Sequence, residues 1–281
     1  MMRLALLCLT IGSTAAALAD RVLTLTRNTQ WNLVQSVRMS FDTYHPQGLV
    51  KTPEGFILSS VEVRNRNAGE GVGHLFKVSA AGALTADLKL GEGAIYHPGG
   101  IDFDGESVWV PVAEYRPESQ SIIYKVDPKT MRATEVFRFP DHIGAIVHNT
   151  DDGTLHGVSW GSRRFYRWTL DGKNAARTLN PSHYVDYQDC KYVGSRRMLC
   201  TGVTEIRRAA NVEPLRLGGI DLIDLGSGRP IHQVPLLLWT ESGLDMTHNP
   251  VWLEPTPTGI RGYFIPEDNN SRMYVYEAAA R

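Results

Sequence analysis

Long apolar runs are missing from this sequence. Beyond a short stretch near its start, no segment approaches the roughly 18 unbroken apolar residues of a membrane-spanning helix, so no span is expected. A charge excess is missing too, since 29 Lys and Arg stand against 30 Asp and Glu. Without a basic surplus, nucleic acid is not an expected partner. Amphipathic helical periodicity is absent, with no 3.6-residue pattern between proper caps, so a helical fold is not expected. The HExxH, CxxC and EF-hand spacings are also absent, so any metal site has to be assembled between distant segments. Cysteine is scarce, with three in the chain. Two of them, Cys190 and Cys200, lie in "YQDCKYVGSRRMLCTGV". That stretch reads as strand, turn, strand, with the two cysteines opposite each other across a Gly194-Ser195-Arg196 turn. A disulfide is expected there in an oxidising compartment, and two free thiols otherwise. No motif supplies a base for thiol catalysis.

The first residues, "MMRLALLCLTIGSTAAALAD", supply that compartment. Arg3 forms a short positive start, Leu4 to Ile11 a short apolar stretch, and Ala17-Leu18-Ala19 a small-x-small cleavage signal. The expectation is a secretory signal peptide over residues 1–19, with an exported, periplasmic or extracellular domain over 20–281.

What the chain has in quantity is repetition. "HPQGLVKTPEGFILSSVEV" (His45 to Val63) is echoed by "HPGGIDFDGESVWVPVAEY" (His97 to Tyr115). Each opens His-Pro-x-Gly, and in each a glutamate follows the histidine by seventeen residues. Apolar or alternating strand patterns such as "GHLFKVSAAGAL", "SIIYKVDPKTMRA", "RRFYRWTLDGKNA", "GGIDLIDLGSGRP" and "SRMYVYEA" recur about every 45–50 residues. Each follows a hairpin, and all but the last precede a fourth strand. The fifth repeat runs out of chain, but "WNLVQSVRMSF" (Trp31 to Phe41) is a spare strand before the first. The sequence therefore predicts an all-β, five-bladed β-propeller closed by its N-terminal strand, which also removes an exposed edge. Splitting the long fourth repeat (Ser182 to Leu237) would give six blades, and a two-sheet sandwich is a third arrangement.

In a propeller, the first strand of each blade starts at the face where the second ends. His45, His97, His142, Tyr187 or Gln188, and His248 then mark one rim, with Glu62, Glu114, Trp160 and Glu267. Histidine before proline is also simple punctuation, because proline holds it extended and glycine admits a tight turn. As a set, the imidazoles and carboxylates suit a divalent metal, calcium or a transition metal, with His45, His97 and Glu62 as ligands. His97, His142, His148 and Glu114 are the candidate proton-transfer groups, His148 lying on the same side of its strand as His142. Arg116, Trp160, Gln188, His248 and Glu267 are the candidate ligand contacts, Arg116 for an anionic group. "GVSWG" (Gly157 to Gly161) matches G-x-S-x-G, but a strand pattern follows where a nucleophile elbow needs a helix.

The phrases "GVGHLFK", "GEGAIYHPGGID", "WVPVAEYRP", "DHIGAIVHN", "LHGVSWGSRRFYRW" and "PEDNNSRMYVY" resemble an uncharacterised family of exported bacterial proteins, a domain of unknown function. The resemblance covers nearly the whole mature chain and brings no activity with it. The architecture is also similar to the lactonase and paraoxonase propellers, which hold a calcium in the channel. That similarity implies Glu62, Asn149 and Asp189 as calcium ligands, although the histidine-rich rim departs from the pattern. "HPQGL" is similar to the Phe-Thr-Gln-Gly-Leu start of five-bladed glutaminyl cyclases, whose remaining signature is missing. The expected function is metal-assisted hydrolysis of a small ester or lactone. The alternative is a non-catalytic propeller that binds a polar or anionic small molecule.

Overall fold

A computed structural model describes residues 17–207 and 209–280. Most of the expected leader, residues 1–19, lies outside the described residues. Strand β1 (Trp31–Arg38) comes first. The first blade is β2 (His45–Thr52), β3 (Gly55–Asn65), β4 (Glu70–Val78) and β5 (Leu84–Leu90). The second has a divided inner strand, β6 (Ile95–Pro98) and β7 (Asp102–Phe103). Both halves pair β8 (Val108–Glu114), which is followed by β9 (Ser121–Asp127) and β10 (Arg132–Phe139). The third is β11 (Ile143–Asn149), β12 (Thr154–Ser159), β13 (Arg164–Thr169) and β14 (Ala176–Leu179). The fourth is β15 (Asp186–Tyr192), β16 (Arg197–Ile206), β17 (Leu215–Asp224) and β18 (Arg229–Leu236). The last, β19 (Val251–Pro255), β20 (Gly259–Phe264) and β21 (Arg272–Ala279), is completed by β1, which pairs antiparallel with β21. These five small sheets in a ring make a five-bladed β-propeller, closed as expected by the N-terminal strand.

Each gap between blades has its own apolar cluster. Alternate residues of one strand feed opposite gaps, which is why a second strand such as β8 reads as a nearly continuous apolar run. Val50 and Ile57 pack toward the second blade with Val108 and Val110, while Leu49, Phe56 and Leu58 pack toward the last blade with Tyr263 and Ile265. Trp109, Ile146, Leu155 and Trp168 fill the next gap. Leu18, Ala19, Val22 and Leu25, just before the ring, are buried between the last two blades with Leu222, Leu253 and Phe264. Hydroxyls tie one blade to the next: Ser121 Oγ accepts from Ile143 N at 2.8 Å, and Ser162 Oγ accepts from Tyr187 N at 2.6 Å. Cys190 and Cys200 face each other in register and form a disulfide. Among the described residues no helix is long and apolar enough to cross a membrane. The disulfide is consistent with an oxidising compartment.

The axis explains the repeated His-Pro-x-Gly phrase. The residues just after its glycines, Leu49 and Ile101, donate their backbone N–H groups to the two oxygens of Asp189, at 2.9 and 3.2 Å. Those glycines stand where nothing larger fits. A Cβ on Gly48 would lie 2.6 Å from Ile101 N, and one on Gly100 would lie 2.8 Å from both Asp189 Cα and Ala145 Cβ. Gly100 also donates to Gly144 O at 2.8 Å, joining the second and third inner strands. Lys191 is buried beside Asp189, bonded to its carboxylate and, at 2.6 Å, to Ile101 O. A second carboxylate, Asp102, accepts from His148 N at 3.0 Å. Burial pushes Asp189 up to about 6 and Asp102 up to about 7, against the pull of Lys191, and burial draws Lys191 down. The axis is thus tied by an Asp–Lys–Asp cluster reaching four of the five inner strands.

Candidate functional site at the channel mouth

Above this cluster, the starts of the inner strands and the ends of the second strands surround a mouth. His45, at the head of β2, has its Nδ1 2.8 Å from Asp268 Oδ1, in the turn before β21. The first and last blades meet at this contact. Asn249 Nδ2 donates to the same Asp268 oxygen at 3.0 Å and also to Pro266 O at 3.0 Å. Burial opposes ionisation of Asp268, but the hydrogen bonds from His45 and Asn249 outweigh it and hold its pKa below the usual carboxylate value. A carboxylate on Nδ1 fixes the ring and its tautomer and leaves Nε2 as the basic nitrogen.

His97 and His142 come from the next two blades. Their rings are 5.5 Å apart, and both side chains are buried. His97 stacks on Tyr115 at 4.1 Å, and His142 meets the edge of Trp160 at 4.7 Å. His142 Nδ1 donates to Glu114 O at 2.8 Å. Burial holds His142 neutral, with a pKa drawn down to about 4, although the carbonyls of Glu114 and Arg116 favour its charged form. Burial, reinforced by His142 and His45, draws His97 well below the ordinary histidine value. Tyr115 and Trp160 lie 5.8 Å apart and form an aromatic wall. Burial raises the Tyr115 hydroxyl, which is a neutral donor at physiological pH. Across this wall lies Arg66, from the turn after β3, 4.0 Å from the Tyr115 ring centroid and 5.7 Å from that of Trp160.

The other residues expected from sequence lie elsewhere or are already engaged. Glu62 holds Arg64 in a two-pronged contact at 3.0 and 2.9 Å and stands 3.8 Å from His74 Nε2, on the opposite sheet face from His45. Glu114 accepts from Arg116 Nε at 2.7 Å, so these two occupy each other. Glu267 accepts from Tyr274 Oη at 2.7 Å and Arg272 N at 2.8 Å, which leaves its neighbour Asp268 to face His45. Gln188 is the half-buried residue of an irregularity in β15. His248 is half-buried, 3.6 Å from Asp245 Oδ2. His148 and Asn149 lie at the far end of β11, about 20 Å from His142 by the rise of an extended strand. There His148 Nδ1 bonds Asp104 Oδ2 at 2.8 Å, and Asn149 Oδ1 accepts from Asp151 N at 3.1 Å within a turn. Ser159 Oγ accepts from Arg164 N at 3.0 Å, and a short 3-10 turn (Trp160–Ser162) leads directly into β13, so no nucleophile elbow forms. Arg66 and Tyr115 were not singled out from sequence, because both sit in turns that follow strands and carry no periodic signal.

The residues expected to bind a metal are not brought to one point. Among the described residues no group of three His, Cys, Asp or Glu side chains is arranged to hold a metal ion. The expected channel ligand Asp189 already has both oxygens filled by two backbone N–H groups and the Lys191 ammonium. The residues present do not fit a metal at the mouth. A cavity of about 250 Å³, lined by His156, Arg167 and Arg196, opens between the third and fourth blades, at the opposite face from the mouth.

Comparison with solved structures gives the same fold and no activity. The glutaminyl cyclase of Myxococcus xanthus aligns over 89% of this chain and 97% of its own, at 13% identity and a TM-score of 0.54. A hypothetical protein from Leishmania major aligns over 87% and 90%, at 11% identity and 0.54. The tail fibre of Staphylococcus aureus phage P68 aligns over 93% of this chain and 55% of its own, at 10% identity and 0.54. At such identities the likeness shows the fold alone. Comparison with curated proteins finds no match. A family's sequence model does match, across residues 3–281, and the chain belongs to the family of unknown function DUF6454.

Proposed function

We propose that the channel mouth is a hydrolytic site for a small ester or lactone, with His45 as general base oriented by Asp268. The observation that carries this reading is the 2.8 Å contact between His45 Nδ1 and Asp268 Oδ1, beside two buried neutral imidazoles. His45 Nε2 takes a proton from water, and the water oxygen attacks the acyl carbon. The tetrahedral oxyanion finds a donor in the Tyr115 hydroxyl. The bond from acyl carbon to alkoxy oxygen then breaks, and His45 returns its proton to the departing alkoxide. The products are a carboxylic acid and an alcohol, or one hydroxy acid from a lactone. No step uses a metal.

A second reading is a site that binds without turnover. It is favoured by the guanidinium of Arg66, stacked on Tyr115 and near Trp160, which would hold an anionic ligand whether or not chemistry follows. The two readings separate on His45→Gln. A positioned general base contributes on the order of 10²–10⁴ in rate. With a panel of small esters and lactones, His45→Gln is expected to lower kcat at least a hundredfold while product binding persists. Turnover unchanged in the variant, or absent from the wild type across the panel, would leave the binding reading.

A further inference from the structure

We infer that the mouth recognises a carboxylate on its ligand, held by Arg66 with the Tyr96 hydroxyl and the His97 ring beneath it. This rests on the mouth being the ligand site and names the class of substrate: a small ester or lactone that also carries a free carboxylate.

Arg66 stands apart from its neighbours. Arg64, Arg116, Arg163 and Arg164 crowd the same face, and each is paired with a carboxylate: Glu62, Glu114, Asp186, and Glu118 with Asp141. Arg66 has no carboxylate within salt-bridge distance among the described residues, and lies against two aromatic rings instead. Stacking fixes the plane of a guanidinium and leaves its N–H edge free, the edge that matches a carboxylate. Its turn is held in place. Ala68 N donates to Asn65 Oδ1 at 3.2 Å, and Gly69 N donates to Arg66 O at 3.2 Å. Gly69, at φ +69°, rests so close to the second blade that a Cβ there would lie 3.2 Å from Ala94 Cβ.

The second observation comes from below. Tyr96 Oη and His97 Nδ1 are buried polar atoms with no hydrogen-bond partner, in side chains that are 2% and 4% exposed. An unsatisfied buried polar group is costly, and native proteins keep few without a reason. Both lie within electrostatic reach of Arg66. A carboxylate seated there accepts from Arg66 and from the Tyr96 hydroxyl, and the His97 ring supplies a third polar contact. Asp268, which shares the surroundings of Tyr115 with Arg66, is held by His45 and Asn249 and does not compete for the guanidinium.

The test uses three probes on the full mature chain. Monomethyl succinate carries the carboxylate, dimethyl succinate lacks it, and succinate reports binding without turnover by calorimetry. The wild type is expected to favour the monoester. In Arg66→Gln the ratio of kcat/KM for monoester over diester is expected to fall at least tenfold, with weaker succinate binding, and Arg66→Lys is expected to recover part of both. Tyr96→Phe, which keeps the ring, is expected to weaken succinate binding in the same direction. Circular dichroism melts check that each variant is folded. An unchanged ratio in folded Arg66→Gln, or a wild type that does not bind succinate, would overturn the inference. Succinate binding through Arg66 with neither ester turned over would sink the hydrolytic reading and leave the carboxylate site standing.

Discussion

Lys191→Met is the sharpest test of how the ring is held at its axis. Methionine keeps a flexible apolar stem of similar length and removes the ammonium. Three contacts go with it: the bond to Ile101 O at 2.6 Å, the bond to Cys190 O at 3.3 Å and the pairing with Asp189. Removing one partner of a buried ion pair costs about 3–5 kcal/mol, because the other charge is left uncompensated. Asp189 keeps its two backbone N–H donors and Asp102 can take up a proton near neutrality, so about 3 kcal/mol is expected at pH 7. That is a large share of the roughly 5–15 kcal/mol that holds a domain folded. The loss also depends on pH with a definite sign. Burial raises Asp189 and Asp102 from 3.8 to about 6 and about 7, so their contribution is fully present below the unfolded value and lost as pH rises through the folded ones. Without the ammonium both rise further, so the gap between variant and wild type widens from pH 6 to pH 8. Urea unfolding followed by tryptophan fluorescence at both pH values measures it. A loss under about 1 kcal/mol at both, or a gap that narrows as pH rises, would refute the reasoning.

Other expectations follow from the same contacts. His97 and His142 should stay neutral at pH 5.5 in nitrogen-15 NMR, since burial draws both below the ordinary 6.5; the stability this gives is present above 6.5 and lost as pH falls, for His142 toward about 4, and a midpoint near 6.5 for either ring would contradict the burial. Gly100→Ala should cost about 1–3 kcal/mol in urea unfolding because its Cβ meets backbone at the axis. Gly144→Ala, whose Cβ would have no neighbour closer than 3.6 Å, should cost well under half of that, and equal losses would remove the close-approach argument. Replacing Cys190 and Cys200 by serine should cost about 2–3 kcal/mol from the short loop they close, and a melting temperature unchanged from wild type would contradict it.

The ring was legible in the sequence because propeller blades are written as repeats. Strand patterns recur at blade length, and the spare pattern from Trp31 to Phe41 had only one blade left to complete. The two cysteines were legible because hairpin register depends on a short turn. The site was legible in part. His97, His142 and Trp160 do gather at one mouth, since the same point in each repeat returns to the same face. The glutamates behave differently because one residue along a strand reverses the facing side. Glu62 therefore meets Arg64 and His74 while His45 turns to Asp268. His148 follows His142 along the same chain segment, but six residues of extended backbone carry it to the other end of the channel. Asp189 reads as a calcium ligand only through the likeness to lactonase and paraoxonase propellers, and its neighbours Leu49, Ile101 and Lys191 show what its charge is for. Arg66 carries no local signal at all, because its partners Tyr115 and Trp160 lie about 50 and 94 residues away.

The most direct test of the account is ester hydrolysis by the wild type and by Asp268→Asn, each measured with a chelator present. Asparagine keeps the shape of the His45 contact but no longer supports the basic tautomer. The account predicts that wild-type turnover survives chelation and that Asp268→Asn lowers kcat by a factor of a hundred or more, with ligand binding retained. Turnover abolished by the chelator, or unchanged in Asp268→Asn, would contradict it.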